Sequence, residues 1–198
     1  TQGYPMNPIL NLLIQNKSVC QPLRVENIDN EASLYLYNII VFNDDWGGIS
    51  ADSFVKELNA IQSPIIHLRL DCPGGDVFAA VAMQQAIKEH KSKIIAHVDG
   101  RAASACTLLT SAADETVISE SGMFMIHKAS TIAGGNDTDF IDMANLLART
   151  DNNIITDYVK KEAGGQISNL ENKEYILFED KYIVASNKKI HEELIKQL

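Results

Sequence analysis

Basic residues are in short supply in this chain. Its 17 Lys and Arg face 26 Asp and Glu, a formal net charge of −9 over 198 residues. No basic stripe is left to neutralise phosphates, so nucleic acid and membrane are not expected as partners. Cysteine is scarcer still. Cys20, Cys72 and Cys106 are odd in number and form no CxxC pair, which indicates neither a disulfide framework nor a zinc knuckle and suits a reducing cytoplasm. Long apolar runs are missing as well. The longest candidate, Ile9 to Ile14, is interrupted by Asn11, far short of the ~18 residues of a membrane span. No charged leader with a cleavage site precedes it, so neither secretion nor anchorage is expected. What is present reads as globular: 45% hydrophobic and 22% charged residues, in a length that suits one domain with a sizeable core.

Residues 1–30 hold three of the five prolines (Pro5, Pro8, Pro22) and read as an extended arm ahead of a single domain, 31–198. From Ala32 the patterns alternate. Leu34 to Phe42 is strand-like, and Ala51 to Ile61 is an amphipathic helix with Phe54, Val55, Leu58 and Ile61 on one face. Ile65 to Leu70 is a strand, Val77 to His90 a helix, Lys93 to Val98 a strand and Ser104 to Ala113 a short helix. Thr116 to Ile118 and Met123 to Ile126 follow as strands. This order predicts an α/β fold of repeated βαβ units, with the sheet buried between helices. After Gly134 and Gly135, helical spacing runs from Thr138 to Ala163 and stops at Gly164 and Gly165. An unbroken helix there would be roughly 39 Å long and would project from so small a body or pack on another subunit. A break in the polar run Arg149 to Asn153 is the alternative. Lys181 to Ala185 reads as a last strand, and Ser186 to Gln197 as a capped helix.

Three loops fall at the carboxyl ends of strands, where open α/β sheets place their chemistry. Cys72-Pro73-Gly74-Gly75 follows one strand, Gly100-Arg101-Ala102-Ala103-Ser104 the next, and His127 closes a third. A Gly-Gly pair lets another backbone approach closely, as an oxyanion or a substrate strand would need, although Pro-Gly-Gly is also a common turn. Ser104, among small neighbours at a helix start, is a candidate nucleophile; an N-cap is the commoner role for such a serine. Cys106 is the rival, turned roughly 200° away on a helix and suited to packing. Of five histidines, His90 and His191 sit on polar helix ends and His67 and His97 lie inside strands, where structural roles are the default. His127, ending an apolar strand, could serve as general base. Glu171, Glu174, Glu179 and Asp180 are all available to orient it.

The stretches Asp71-Cys-Pro-Gly-Gly-Asp-Val-Phe, Gly100-Arg-Ala-Ala-Ser-Ala and Met125-Ile-His-Lys-Ala together resemble the ClpP family of serine peptidases. Leu34-Tyr-Leu-Tyr, Ala51 to Leu58 and Gly135-Asn-Asp are similar in type to the ClpP-related head-maturation proteases of tailed phages and prophages. The resemblance runs from about Ala32 to Ala163 and implies a ClpP/crotonase-like fold with 138–163 as the projecting handle helix. It implies Ser104 as nucleophile, His127 as base, and the Gly75 and Ala105 amides as oxyanion hole, with Gly74, Asp76 and Val77 beside them. It also implies Asp180 rather than Glu174 as the acid, because Asp180-Lys-Tyr-Ile-Val-Ala matches the family pattern. Cys72 stands where the family has Ser, in a turn expected to work through its backbone. The implied protein is a serine endopeptidase in a homo-oligomeric ring, without metal or cofactor. Its substrate would be polypeptide, in the phage-type members capsid or scaffold protein, and an AAA+ unfoldase partner is left open. A Ser-Lys peptidase, for which Lys128 is poorly placed, a crotonase proper and a catalytically silent ring subunit are the competing readings.

Overall fold

The computed structural model describes residues 23–163, 175–178 and 181–184. Its elements follow in the order β1 (Arg24–Ile28), β2 (Glu31–Leu36), α1 (Ala51–Ala60), β3 (Ile65–Cys72), α2 (Val77–Glu89), β4 (Lys93–Ala103), α3 (Thr107–Ala112), β5 (Glu115–Ile118), β6 (Met123–His127), α4 (Asp137–Ala163), β7 (Tyr175–Phe178) and β8 (Lys181–Val184). The sheet order is β1-β2-β3-β4-β6-β8-β7, with β5 also on β4. β2, β3, β4 and β5 follow one another through helical crossovers and pair in parallel, β6 follows β5 directly and also pairs parallel to β4, while β1 at one end and β8 and β7 at the other pair antiparallel.

The helices begin where local chemistry dictates. Ser50 caps α1, its hydroxyl accepting from the Ser53 N–H, and Asp76 caps α2 through the Ala79 N–H at 2.8 Å. Each cap satisfies an amide the first turn leaves unpaired, a contribution of about 1 kcal/mol. The apolar faces of α1 (Phe54, Leu58) and α2 (Ala80, Met83, Ile87) meet Leu34, Leu36, Ile66, Leu68, Leu70, Ile94, Ala96 and Val98 in one core. Complete burial of a Leu or Ile there contributes about 1.5–3 kcal/mol.

The expected burial of the sheet between helices is corrected by its alternation. In β3 every second residue is buried and the rest are half-exposed, so among the described residues α1, α2 and α3 cover one face of the sheet. The other face carries ion pairs and hydrogen bonds. Arg69 Nε donates to Asp99 Oδ2 at 2.8 Å, and the Tyr37 hydroxyl donates to the same carboxylate at 2.6 Å.

Other boundaries differ for physical reasons. β2 stops at Leu36 rather than Phe42, because the chain turns out of the sheet: the Ile39 N–H is taken by the Asn38 side chain, and Phe42 is 79% exposed. Residues 24–28 of the expected arm form β1, paired with β2 from Arg24↔Tyr35 to Ile28↔Glu31. β4 runs past Val98 to Ala103. The long helix is not broken at Arg149 to Asn153. No Gly or Pro interrupts 137–163, and Thr150 and Thr156 return their hydroxyls to the carbonyls of Leu146 and Asn152 within the helix. At its start Asn136 and Asp139 accept from each other's N–H, a reciprocal cap. Its 27 residues span about 40 Å, with Phe140 and Ile141 exposed and Ile154 against the core. Among the described residues no helix is long and apolar enough to cross a membrane. The expected final helix, residues 1–22, and the carboxylates Glu171, Glu174, Glu179 and Asp180 lie outside the described residues, as do Cys20 and His191.

Candidate active site

Strand β4 sets the stage by changing partners. It pairs with β5 through residues 95–98 and with β6 through residues 101–103. Between the two, its register against β3 shifts, from Leu70↔Val98 to Cys72↔Ala102. Gly100 lies in this bulge, where an added Cβ would come within 2.9 Å of the Asp71 carboxyl, and Arg101 Nε meets Asp71 Oδ1 at 3.0 Å. The bulge lets one strand carry Ser104 from its position beside β3 to the end of β6, where His127 is.

The Gly74-Gly75 turn is pressed onto that strand end. Gly74 has φ 95 and Gly75 φ 139, both in the region where a side chain is strained. A Cβ on Gly74 would lie 2.6 Å from the Ala103 carbonyl oxygen and 2.9 Å from the Ala105 nitrogen, and one on Gly75 would collide with the Ile40 carbonyl. The Ile40 N–H donates to Gly74 O at 2.8 Å, and the Asp76 N–H to Ile40 O at 3.0 Å. In that parallel bridge the Gly75 N–H points away from Ile40. Asp76 is the α2 cap, and Val77 is the first residue of α2.

Ser104 is brought to His127. Its Oγ lies 2.7 Å from His127 Nε2, both residues half-buried. The serine backbone has φ 55, a positive value that non-glycine residues adopt at a cost of roughly 1–3 kcal/mol. The N-cap role is not realised. Ser104 opens a 3-10 turn that Ala103 precedes without a side-chain cap, and α3 follows Cys106, which does not cap it either. With its proton on Nδ1, the imidazole accepts at Nε2 from the serine hydroxyl, which suits proton removal from an attacking oxygen.

Cys106 is not placed as a nucleophile. It is wholly buried, and its hydrogen bond to Cys72, together with burial and the nearby Asp71 charge, pushes the thiol well above its ordinary value. A thiol held protonated attacks poorly. Cys72 contributes more than backbone, because its Sγ accepts from the Gly74 N–H at 3.4 Å. No three His, Cys, Asp or Glu among the described residues converge to hold a metal. On the far side of β6, β8 pairs antiparallel, with Lys181 opposite His127; Asp180 is the residue before Lys181 in the sequence.

The Clp protease family matches over residues 24–188. The chain belongs to the Clp protease family. No curated protein matches it. Membership makes this Clp protease family member a ClpP-type peptidase, with the polypeptide substrates and oligomeric assembly that go with the family, on the α/β fold described above. The match starts at Arg24, where β1 starts.

Two contributors to the site escaped the sequence reading. Ile40 receives the glycine turn, and its only sequence signal was an apolar residue in a run taken for strand. Asp151, in the polar run of α4, accepts from the Ala129 N–H at 2.7 Å just beyond His127; a lone Asp among Thr and Asn carries no signal of that role.

Proposed function

We propose that the protein is a serine endopeptidase that cuts extended polypeptide through an acyl-enzyme. The observation that carries this reading is the 2.7 Å approach of Ser104 Oγ to His127 Nε2 beside the Gly74-Gly75 turn. Ser104 Oγ attacks the scissile carbonyl carbon while His127 Nε2 takes the hydroxyl proton. The carbonyl oxygen becomes an anion that the Gly75 and Ala105 N–H groups receive. Collapse of this intermediate breaks the C–N bond, and the leaving amine takes the proton from His127. Water, deprotonated by the same imidazole, then releases the acyl group and restores Ser104. Asp180 is proposed to hold the imidazole through Nδ1; its support is the pairing of the next residue, Lys181, with His127.

We extend the reading to a cytoplasmic homo-oligomeric ring joined through α4, whose exposed Phe140 and Ile141 are apolar surface suited to a second copy. The phage-like sequence stretches support a role in capsid maturation on capsid or scaffold protein, without an ATP-driven unfoldase. An AAA+ partner is the second outcome, which stimulation of protein-substrate cleavage by ATP and a host unfoldase would establish. The direct test is hydrolysis of a fluorogenic peptide by the purified protein and by Ser104→Ala. A loss of several orders of magnitude in the variant is expected. An assembled wild type with no hydrolysis would mark a catalytically silent ring subunit instead.

A further inference from the structure

We infer that Asp151, in the middle of α4, is a positioning residue that holds His127 in reach of Ser104; the inference rests on the serine peptidase reading above. His127 is the last residue of β6, and the pairing of β6 with β4 ends at Met125↔Ala103. The base therefore stands two residues past its last partner on the strand that carries Ser104. Two residues further on, the Ala129 N–H donates to Asp151 Oδ1 at 2.7 Å, in a half-buried setting. Hydrogen bonds to an ionised acceptor are shorter and roughly twice as strong as neutral ones. Two trans peptides span at most ~7 Å, so fixing Ala129 narrows the backbone freedom of His127 itself.

The helix gains nothing locally from this residue. Aspartate is among the poorer helix formers, and its neighbours Asn152 and Asn153 are exposed while Asp151 turns inward. The same helix carries a second inward carboxylate that does not touch this segment. Asp157 accepts from Gln84 Nε2 at 3.0 Å and lies 3.6 Å from Lys88 Nζ, tying α4 to α2. Asp157 therefore separates the general anchoring of α4 from the specific hold on the base. Displacing a catalytic group by ~1 Å costs on the order of 10²-fold in rate, which sets the size of the effect.

The test measures kcat and KM on a fluorogenic peptide for wild type, Asp151→Ala, Asp151→Asn and Asp157→Asn, with circular dichroism to verify folding. Asp151→Ala is expected to lower kcat about 30- to 100-fold with KM changed less than about 3-fold. Asp151→Asn keeps an oxygen acceptor and should restore kcat to within about 5-fold of wild type. Asp157→Asn should stay within about 3-fold. Should Asp151→Ala not fold, Asp151→Ser breaks the same bond with a shorter polar group. Equal losses at Asp151 and Asp157, or an Asn variant as slow as the Ala variant, would overturn the inference. A serine-reactive fluorophosphonate separates the two readings. If wild type is not labelled at Ser104, the peptidase reading fails and takes this inference with it. If wild type and Asp151→Ala are labelled at the same rate, the positioning role alone fails.

Discussion

Two of the histidine contacts among the described residues are nearly equal in length and unlike in surroundings. His127 meets Ser104 at 2.7 Å, and His67 Nδ1 meets His97 Nε2 at 2.9 Å, with His67 Nε2 2.9 Å from Glu31. The second pair sits within regular strands, on the polar face of β3 and β4, among Arg69, Asp99 and Glu115, and it joins three adjacent strands. The first sits where strands end, against a serine with φ 55 and a glycine turn with no room for a Cβ. A histidine hydrogen bond alone therefore says little about chemistry. Strained backbone and close approach around it mark the candidate site, because strain persists only where surrounding structure enforces it.

The two pairs should differ most at the side chains themselves. Ser104→Ala and His127→Ala should each reduce peptide hydrolysis by several orders of magnitude, with the double variant little worse than either, since members of such a unit are not additive. His67→Gln and His97→Gln should leave turnover within about 2-fold. Comparable losses at both pairs in the same peptide assay would erase the distinction.

Backbone substitutions come next. Gly75→Ala places a Cβ on the Ile40 carbonyl at φ 139. It should cost about 1–3 kcal/mol of stability, read by urea unfolding, and at least 10-fold in kcat. At Gly134 an added methyl group would meet nothing within 4 Å, so Gly134→Ala should stay within about 0.5 kcal/mol and leave kcat unchanged.

The smallest effect is expected from pH at the second pair. Burial first, then the Arg69 and His67 charges, holds His97 below its ordinary value. The fold thus takes up the proton less readily than the unfolded chain, whose histidine titrates near ~6.5. Stability from this group is present above that pH and is lost as pH falls toward the depressed folded value. Thermal melting between pH 7.5 and pH 5 should show this decline, and His97→Gln should flatten it.

The α1 and α2 boundaries were legible to within one residue, because apolar spacing such as that of Phe54, Val55, Leu58 and Ile61 is a local signal; the caps Ser50 and Asp76 emerge from the structure. Ser104, His127 and the glycine turn were legible as three loops at strand ends. Their meeting was not, because it depends on the β4 bulge and its change of partner, which are matters of register between distant segments. The continuity of α4 was legible too, because helical spacing runs from Thr138 to Ala163 without Gly or Pro. What the polar run did not show is the bond from the Ala129 N–H to Asp151. Among the described residues, the one-sided burial of β3 was written in the alternation Ile66, Leu68, Leu70 against His67, Arg69, Asp71, and the β–α order had suggested two covered faces.

Activation of Ser104 by His127 is read out by fluorophosphonate labelling followed by intact mass and peptide mapping. One adduct per chain, on Ser104, formed rapidly in wild type and at least 100-fold more slowly in His127→Ala, is the predicted result. An adduct on another residue, or equal labelling rates with and without the imidazole, would contradict it.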